Sequence, residues 1–335
     1  MLKNSRLSYI LVIVLLFGSV AILYQVQLAR LQEKLAELEK RQEPYESNYL
    51  YSRENLVDED ELVILYNRVP KTGSTSFIGV AYDFCKKNRF HVLHVNITAN
   101  SHTLTLDNQL KFVQNVTKWN SMKPALYHGH FAFLDFSKFG APKPLFINLI
   151  RKPLERFVSY YYFVRYGDNF RPYLVRKKHG NTVTFDECVA QDLPDCDPNN
   201  MWLQIPFFCG HSANCWKPGN RWALNEAKKN LANSYFLVGV TEELDDFVQV
   251  LEQSLPRIFK GATEYYQSSN KSHLRRTVQK DLPSEKTVQK VKESTVWQME
   301  NEFYEFALEN FHFTKKILTK NRGQQVIYEK IRPKV

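Results

Sequence analysis

The chain has 335 residues, 44% hydrophobic, 14% aromatic and 24% charged, with 12 Gly and 14 Pro. This excludes collagen-like, low-complexity and wholly disordered classes and leaves one large domain with appendages, or two domains. Lys and Arg number 45 against 35 Asp and Glu, a formal net charge of +10, so the expected partner is anionic: nucleic acid, acidic lipid or acidic polysaccharide.

The N-terminus narrows that choice. Residues 1–6 read as a cytoplasmic tail carrying Lys3 and Arg6, and residues 7–24 (LSYILVIVLLFGSVAILY) contain no charge. Roughly 17 to 20 apolar residues cross a bilayer core, and the positive flank stays on the cytoplasmic side, so a type II signal anchor is expected. A cleaved signal peptide is the alternative, but the run is long for one and lacks a small-x-small cleavage site. Tyr24, Leu28, Leu31, Leu35 and Leu38 then recur in steps of four and three, an a/d seam that reads as a short coiled coil or as an isolated solvated helix. Residues 25–60 form this stem and an acidic linker, and 61–335 the lumenal globular domain. That topology sets nucleic acid aside.

Residues 62–69 (LVILYNRV) are a buried-strand run, Pro70 to Ser76 (PKTGSTS) a turn, and Phe77 to Lys87 a helix. A strand, a polar turn and a helix N-terminus make an anion site: backbone N–H groups, the helix dipole, Lys71 and the hydroxyls of Thr72, Ser74, Thr75 and Ser76 can ring a phosphate-like group beside Gly73. Lys71 precedes Gly73, so this is not a Walker A loop. By spacing alone it is equally a plain strand-to-helix turn.

Asn96-Ile97-Thr98 and Asn115-Val116-Thr117 are glycosylation acceptors in keeping with a lumenal domain. His128 and His130 lie two apart in LYHGHFAF, on one side of an extended strand. Such a pair is more often structural or metal-ligating than a base, but no HExxH or CxxC pattern accompanies it, and no metal is expected.

The pattern repeats at 144–150 (PLFINLI), a strand with Arg151 at its end and a helix from Pro153 that carries Ser159. Arg151 and Ser159 can converge on one anion, and Lys71 and Arg151 on two ends of one nucleotide, because ligands gather beyond the carboxyl ends of parallel strands. Arg165, Arg171, Arg176, Lys177 and Lys178, interleaved with Tyr and Phe, suit carboxylates and sulfates, or form a solvated basic loop. Cys188, Cys196, Cys209 and Cys215 fall in two close pairs that read as disulfides in an oxidising lumen, with three pairings open, and Cys85 is left as a buried thiol. Tyr235 to Val240 (YFLVGV) is a third strand, running into Thr241 as N-cap of a helix. The class is α/β with a mainly parallel sheet flanked by helices.

Pro70 to Ser76 together with Arg151 to Ser159 (RKPLERFVS) resembles the two phosphate loops of Golgi sulfotransferases that use PAPS (3'-phosphoadenosine 5'-phosphosulfate). Tyr127 to His130 (YHGH), Trp202 to Gly210 (WLQIPFFCG), Tyr235 to Glu243 (YFLVGVTEE) and Glu300 to Leu308 (ENEFYEFAL) resemble the heparan sulfate 2-O-sulfotransferase family in particular, over about residues 60–331. The resemblance implies a P-loop-like sulfotransferase fold and sulfuryl transfer from PAPS to the 2-OH of uronic acid, mainly iduronic acid, in heparan sulfate. It puts Lys71 on the bridging oxygen, Arg151 and Ser159 on the 3'-phosphate, His130 as general base with His128 beside it, and Arg68, Tyr82, His94 and Arg275 at the sugar. Tyr266, Ser272, Thr277 and Lys280 match a loop closing over the nucleotide, so the Asn270 sequon within it is expected to be unmodified. The family is homotrimeric, and Lys330 matches a Lys reaching a neighbouring active site from a tail that is shorter here; the basic loop also has Val175 where relatives carry Arg. Alternatives are a chondroitin or dermatan uronyl 2-O-sulfotransferase and a non-enzymatic, membrane-anchored glycosaminoglycan-binding protein, which would show no saturable affinity for adenosine 3',5'-bisphosphate.

Overall fold

The computed structural model describes residue 18 and residues 24–33, 59–97, 101–268 and 277–320, with residues 317–320 in backbone only. Residues 24–33 are helical with every side chain exposed. The rest of the expected anchor, the stem residues Leu35 and Leu38, and Thr98, Asn270, Ser272, Arg275 and Lys330 lie outside the described residues. Among the described residues no helix is long and apolar enough to cross a membrane.

From residue 58 the chain forms a three-layer α/β unit. Five strands, β1 Val63–Asn67, β2 His91–His94, β3 Ala125–Gly129, β4 Leu145–Ile150 and β5 Tyr235–Val240, pair in parallel in the order β2-β3-β1-β4-β5. β1, β3 and β4 carry almost unbroken buried runs because helices cover both faces of the sheet. Side-chain alternation along β1 divides the core: Leu65 joins one cluster, Ile64 and Tyr66 the other.

On one face, the helix Ser74–Cys85 presents Phe77, Ile78, Ala81 and Phe84 to the sheet, and Phe77 meets Phe247 of the helix Leu244–Ser254 at 5.3 Å, edge to face. On the other, the helix Pro153–Tyr166, started by Pro153, buries Phe157, Val158, Tyr161 and Tyr162. Each such side chain contributes roughly 1.5–3 kcal/mol by leaving water. The 26-residue helix Thr295–Lys320 serves both clusters, Phe303 and Ala307 in one and Phe311 in the other.

The cysteines pair locally, Cys188 with Cys196 and Cys209 with Cys215. Cys85 is half-buried rather than buried, its thiol donating to the Tyr82 carbonyl at 3.1 Å. Thr241 does not cap the following helix. Its hydroxyl donates to the Ile150 carbonyl at 2.9 Å, tying the ends of β4 and β5 together, and a 3-10 turn separates it from the helix that starts at Leu244. Asn96 and Asn115 are both exposed, the latter on the helix Leu106–Lys118.

Candidate active site

From β1 the chain runs past β3 to the edge strand β2, whereas from β4 it runs the opposite way to β5, so the connections diverge between β1 and β4 and the carboxyl ends there open into a crevice. A cavity of about 1240 Å³ fills it, lined from β1 by Arg68 and Lys71, from β3 by His130, from β4 by Arg151 and Ser159, and by Tyr266, Thr277 and Lys280 from the C-terminal third.

The first turn is shaped by two left-handed residues, Lys71 at φ 69° and Gly73 at φ 73°. A Cβ on Gly73 would sit 3.2 Å from Thr241 Cγ2, so both conformation and space call for glycine. Lys71 is not glycine, and a left-handed Lys costs about 1–2 kcal/mol, the kind of strain that concentrates at functional turns. Its Nζ is 3.4 Å from the Thr277 hydroxyl and 4.4 Å from the centre of the Phe163 ring. No side chain caps the helix Ser74–Cys85; the Ser76 N–H turns back to the Gly73 carbonyl at 3.0 Å, so the N–H groups of Ser74 and Thr75 remain for a ligand in the cavity that Gly73, Ser74, Thr75 and Ser76 line. The hydroxyls of Thr72 and Ser74 are spent otherwise: both donate to the Val69 carbonyl, at 2.9 and 3.2 Å. Thr72 is fully buried and holds the turn rather than facing the cavity.

At the second turn Arg151 pairs with Glu155 at 3.2 Å, and Ser159 lies about one turn beyond Glu155 on the helix Pro153–Tyr166. Lys280 is close enough that the Arg151 charge adds to burial in depressing its ammonium, with Glu155 opposing. Two cations held together in a cavity are the arrangement a multiply charged anion relieves. An antiparallel bridge between Asp168 and Thr277 brings the Thr277–Lys280 segment to this place.

The two histidines do different things. His130 Nδ1 donates to the Arg68 carbonyl at 2.8 Å, since a carbonyl can only accept, which leaves the Nε2 lone pair as the proton acceptor. Burial, then the Arg68 guanidinium, lower its imidazole to about 4, against a smaller upward pull from the Arg68 carbonyl, so it is neutral at physiological pH. His128 is buried: Arg68 Nη1 donates to its Nδ1 at 3.2 Å and its Nε2–H is spent on the Tyr82 hydroxyl at 2.9 Å. With both nitrogens engaged, and burial and Arg68 pushing it to about 3, His128 is no base; it orients Tyr82 and Arg68. His94 packs on it at 5.0 Å between ring centres, and Tyr82 is 47% exposed.

The basic segment divides likewise. Arg165 is not a surface ligand for polymer: at 2% exposure it pairs with Asp195 at 2.8 Å and its guanidinium lies 3.5 Å from the Tyr161 ring centre. Arg176 pairs with the buried Asp168 at 3.4 Å and stands 4.4 Å from the Phe163 ring that Lys71 also approaches. Arg171 and Lys177 are exposed, and Lys178 shares Asp195 with Arg165.

Sequence reasoning missed Phe163, Asp168, His102, Gln204 and Glu300. His102, stacked on Trp216 at 5.8 Å, donates from Nδ1 to the His130 carbonyl at 3.2 Å. The only sequence signal for any of them is a polar residue inside an apolar run, as for Gln204 in WLQIPFFCG. Among the described residues no group of three His, Cys, Asp or Glu side chains is placed to hold a metal ion. The arrangement can grip an elongated anion at two ends and offer an imidazole lone pair to a hydroxyl.

Comparison with known proteins agrees in kind. The profile of the Sulfotransferase family matches residues 54–307. The chain is 65% identical over 280 residues to "Heparin sulfate O-sulfotransferase" of Drosophila melanogaster, covering 82% of this chain and 80% of that one. It is 52% and 50% identical over 341 residues to "Heparan sulfate 2-O-sulfotransferase 1" of Gallus gallus and Homo sapiens, each alignment spanning 97% of this chain and 96% of the relative.

Proposed function

The chain belongs to the sulfotransferase family, with the heparan sulfate 2-O-sulfotransferases, and from that premise we propose that it transfers the sulfuryl group of PAPS to the 2-OH of uronic acid, mainly iduronic acid, in heparan sulfate. The observation that carries the reading is the convergence of Lys71, Arg151 and His130 on one cavity at the carboxyl ends of β1, β4 and β3.

In the reaction the sugar oxygen attacks sulfur. The new S–O bond forms as the bond to the phosphate oxygen breaks, and the hydroxyl proton goes to His130 Nε2. Lys71 Nζ and the N–H groups of Ser74 and Thr75 at the start of the helix Ser74–Cys85 stabilise the charge growing on the leaving phosphate; such groups, fixed beforehand, need no reorganisation as the charge develops. Arg151, Ser159 and Lys280 hold the 3'-phosphate, and Tyr266 and Thr277 close on the nucleotide. Arg68, Tyr82, His94, Arg171 and Arg176 receive the acidic chain, with Arg275 and the neighbouring subunit's tail lysine at position 330 as further contacts. The enzyme works as a homotrimer on a type II anchor in the Golgi membrane, its domain lumenal.

Titration with adenosine 3',5'-bisphosphate tests this. Lys71→Ala and Arg151→Ala are expected to lose nucleotide binding and turnover, and His130→Ala to lose turnover with binding kept. Sulfate appearing on glucosamine, in disaccharides prepared after transfer to desulfated heparan and dermatan chains, would overturn the positional assignment; preference for dermatan would change the acceptor.

A further inference from the structure

Arg151 stands where backbone support runs out. β4 ends at Ile150 and the next helix begins at Pro153, so neither ladder nor helix satisfies its peptide groups. One side chain does both: the Arg151 N–H donates to Gln204 Oε1 at 2.8 Å, and Gln204 Nε2 donates to the Arg151 carbonyl at 2.9 Å. Two opposed bonds from one planar amide fix the residue's orientation, and with it the direction in which its guanidinium leaves the backbone.

Gln204 is itself braced. Its Nε2 reaches Glu300 Oε2 at 3.3 Å, while Glu300 Oε1 accepts from the N–H groups of Leu203 at 2.8 Å and Ile205 at 3.2 Å. Both side chains are 0% exposed, and neither lines the cavity. Burial raises the Glu300 carboxyl; the charge of Arg156, then its bonds from Leu203, Ile205 and Gln204, oppose this. Arg156, 2% exposed, lies on the helix that carries Ser159 and donates to the Met201 carbonyl at 2.6 Å. Each polar atom of the Gln204 and Glu300 side chains is hydrogen-bonded, and buried polar groups satisfied in this way impose one geometry on what they touch.

We propose that Gln204, braced by Glu300, is a positioning residue for the nucleotide's 3'-phosphate: it presets Arg151 in the donor cavity without touching the donor. The inference rests on the reading of Arg151 as the 3'-phosphate ligand.

The test compares adenosine 3',5'-bisphosphate with adenosine 5'-phosphate, which lacks that phosphate, by calorimetric titration of the full chain. Gln204→Leu, of similar size and unable to make either bond, is expected to weaken the bisphosphate at least tenfold and the monophosphate less than twofold. Arg151→Ala is expected to show the same selective loss, and the double variant no more than Arg151→Ala alone. Equal losses for both nucleotides, or none, in Gln204→Leu while Arg151→Ala stays selective would overturn the positioning role and leave the Arg151 reading intact. An unselective Arg151→Ala would overturn both. Should Gln204→Leu fail to fold, Glu300→Gln, which keeps an acceptor for Leu203 and Ile205, is expected to lose the bisphosphate selectively by several-fold, and no selective loss there overturns the proposal.

Discussion

Lowering the pH from 8 towards 4 titrates His130 against a gap between its ordinary value of 6.5 and the about 4 it has in the fold. At about 1.4 kcal/mol per tenfold change in proton affinity, that gap is roughly 3 kcal/mol in favour of the neutral ring. Burial is the larger cause and the Arg68 guanidinium the next. Because the folded value lies below the unfolded one, the folded protein binds fewer protons, so this stabilisation is fully present above pH 6.5 and is lost as pH falls through 4. For turnover the same shift keeps the base ready: at pH 6 about 99% of the ligand-free enzyme carries the neutral ring. Following the His130 ring resonances by NMR in ligand-free protein, together with kcat/KM for the donor, which reports the free enzyme, should give a midpoint and an acid limb near 4. Arg68→Gln should move both upward yet leave them below 6.5, since burial persists. A midpoint at or above 6.5 in the wild type, or no response to Arg68→Gln, would refute the reasoning.

Gly73→Ala places a side chain at φ 73° with its Cβ 3.2 Å from Thr241, so unfolding free energy by urea titration should drop by about 1–2 kcal/mol and adenosine 3',5'-bisphosphate affinity should fall with it; an unchanged protein would contradict the turn geometry. Arg165→Ala leaves Asp195 without its buried partner and removes the cation from the Tyr161 face. It should cost at least about 2 kcal/mol of stability while KM for the acceptor chain stays within twofold, whereas Arg176→Ala should raise that KM; loss of acceptor affinity in Arg165→Ala without loss of stability would return Arg165 to the surface. His128→Asn should reduce turnover through misplaced Tyr82 and Arg68, yet leave the acid limb set by His130, as a pH profile of the variant would show.

Much of the frame was legible in the chain itself. The runs at 62–69, 144–150 and 235–240 read as buried strands because a sheet covered on both faces needs apolar residues without alternation, a demand written locally. The turn at Pro70 to Ser76, Arg151 before Pro153, and cysteine pairs spaced eight and six apart are likewise short-range signals. What each charged side chain does was decided elsewhere. Arg165 reads as part of a basic loop, yet Asp195, thirty residues on, draws it into the core. His128 and His130 are alike in sequence, but Tyr82 and Arg68 occupy both nitrogens of one and a single carbonyl occupies one nitrogen of the other. Gln204 gains its role only because Glu300, 96 residues away, and the Arg151 backbone arrive on either side of it. Periodicity and turn chemistry depend on neighbours along the chain, whereas the state of a buried charge depends on which partner the packed fold brings within hydrogen-bonding reach. No local pattern records that.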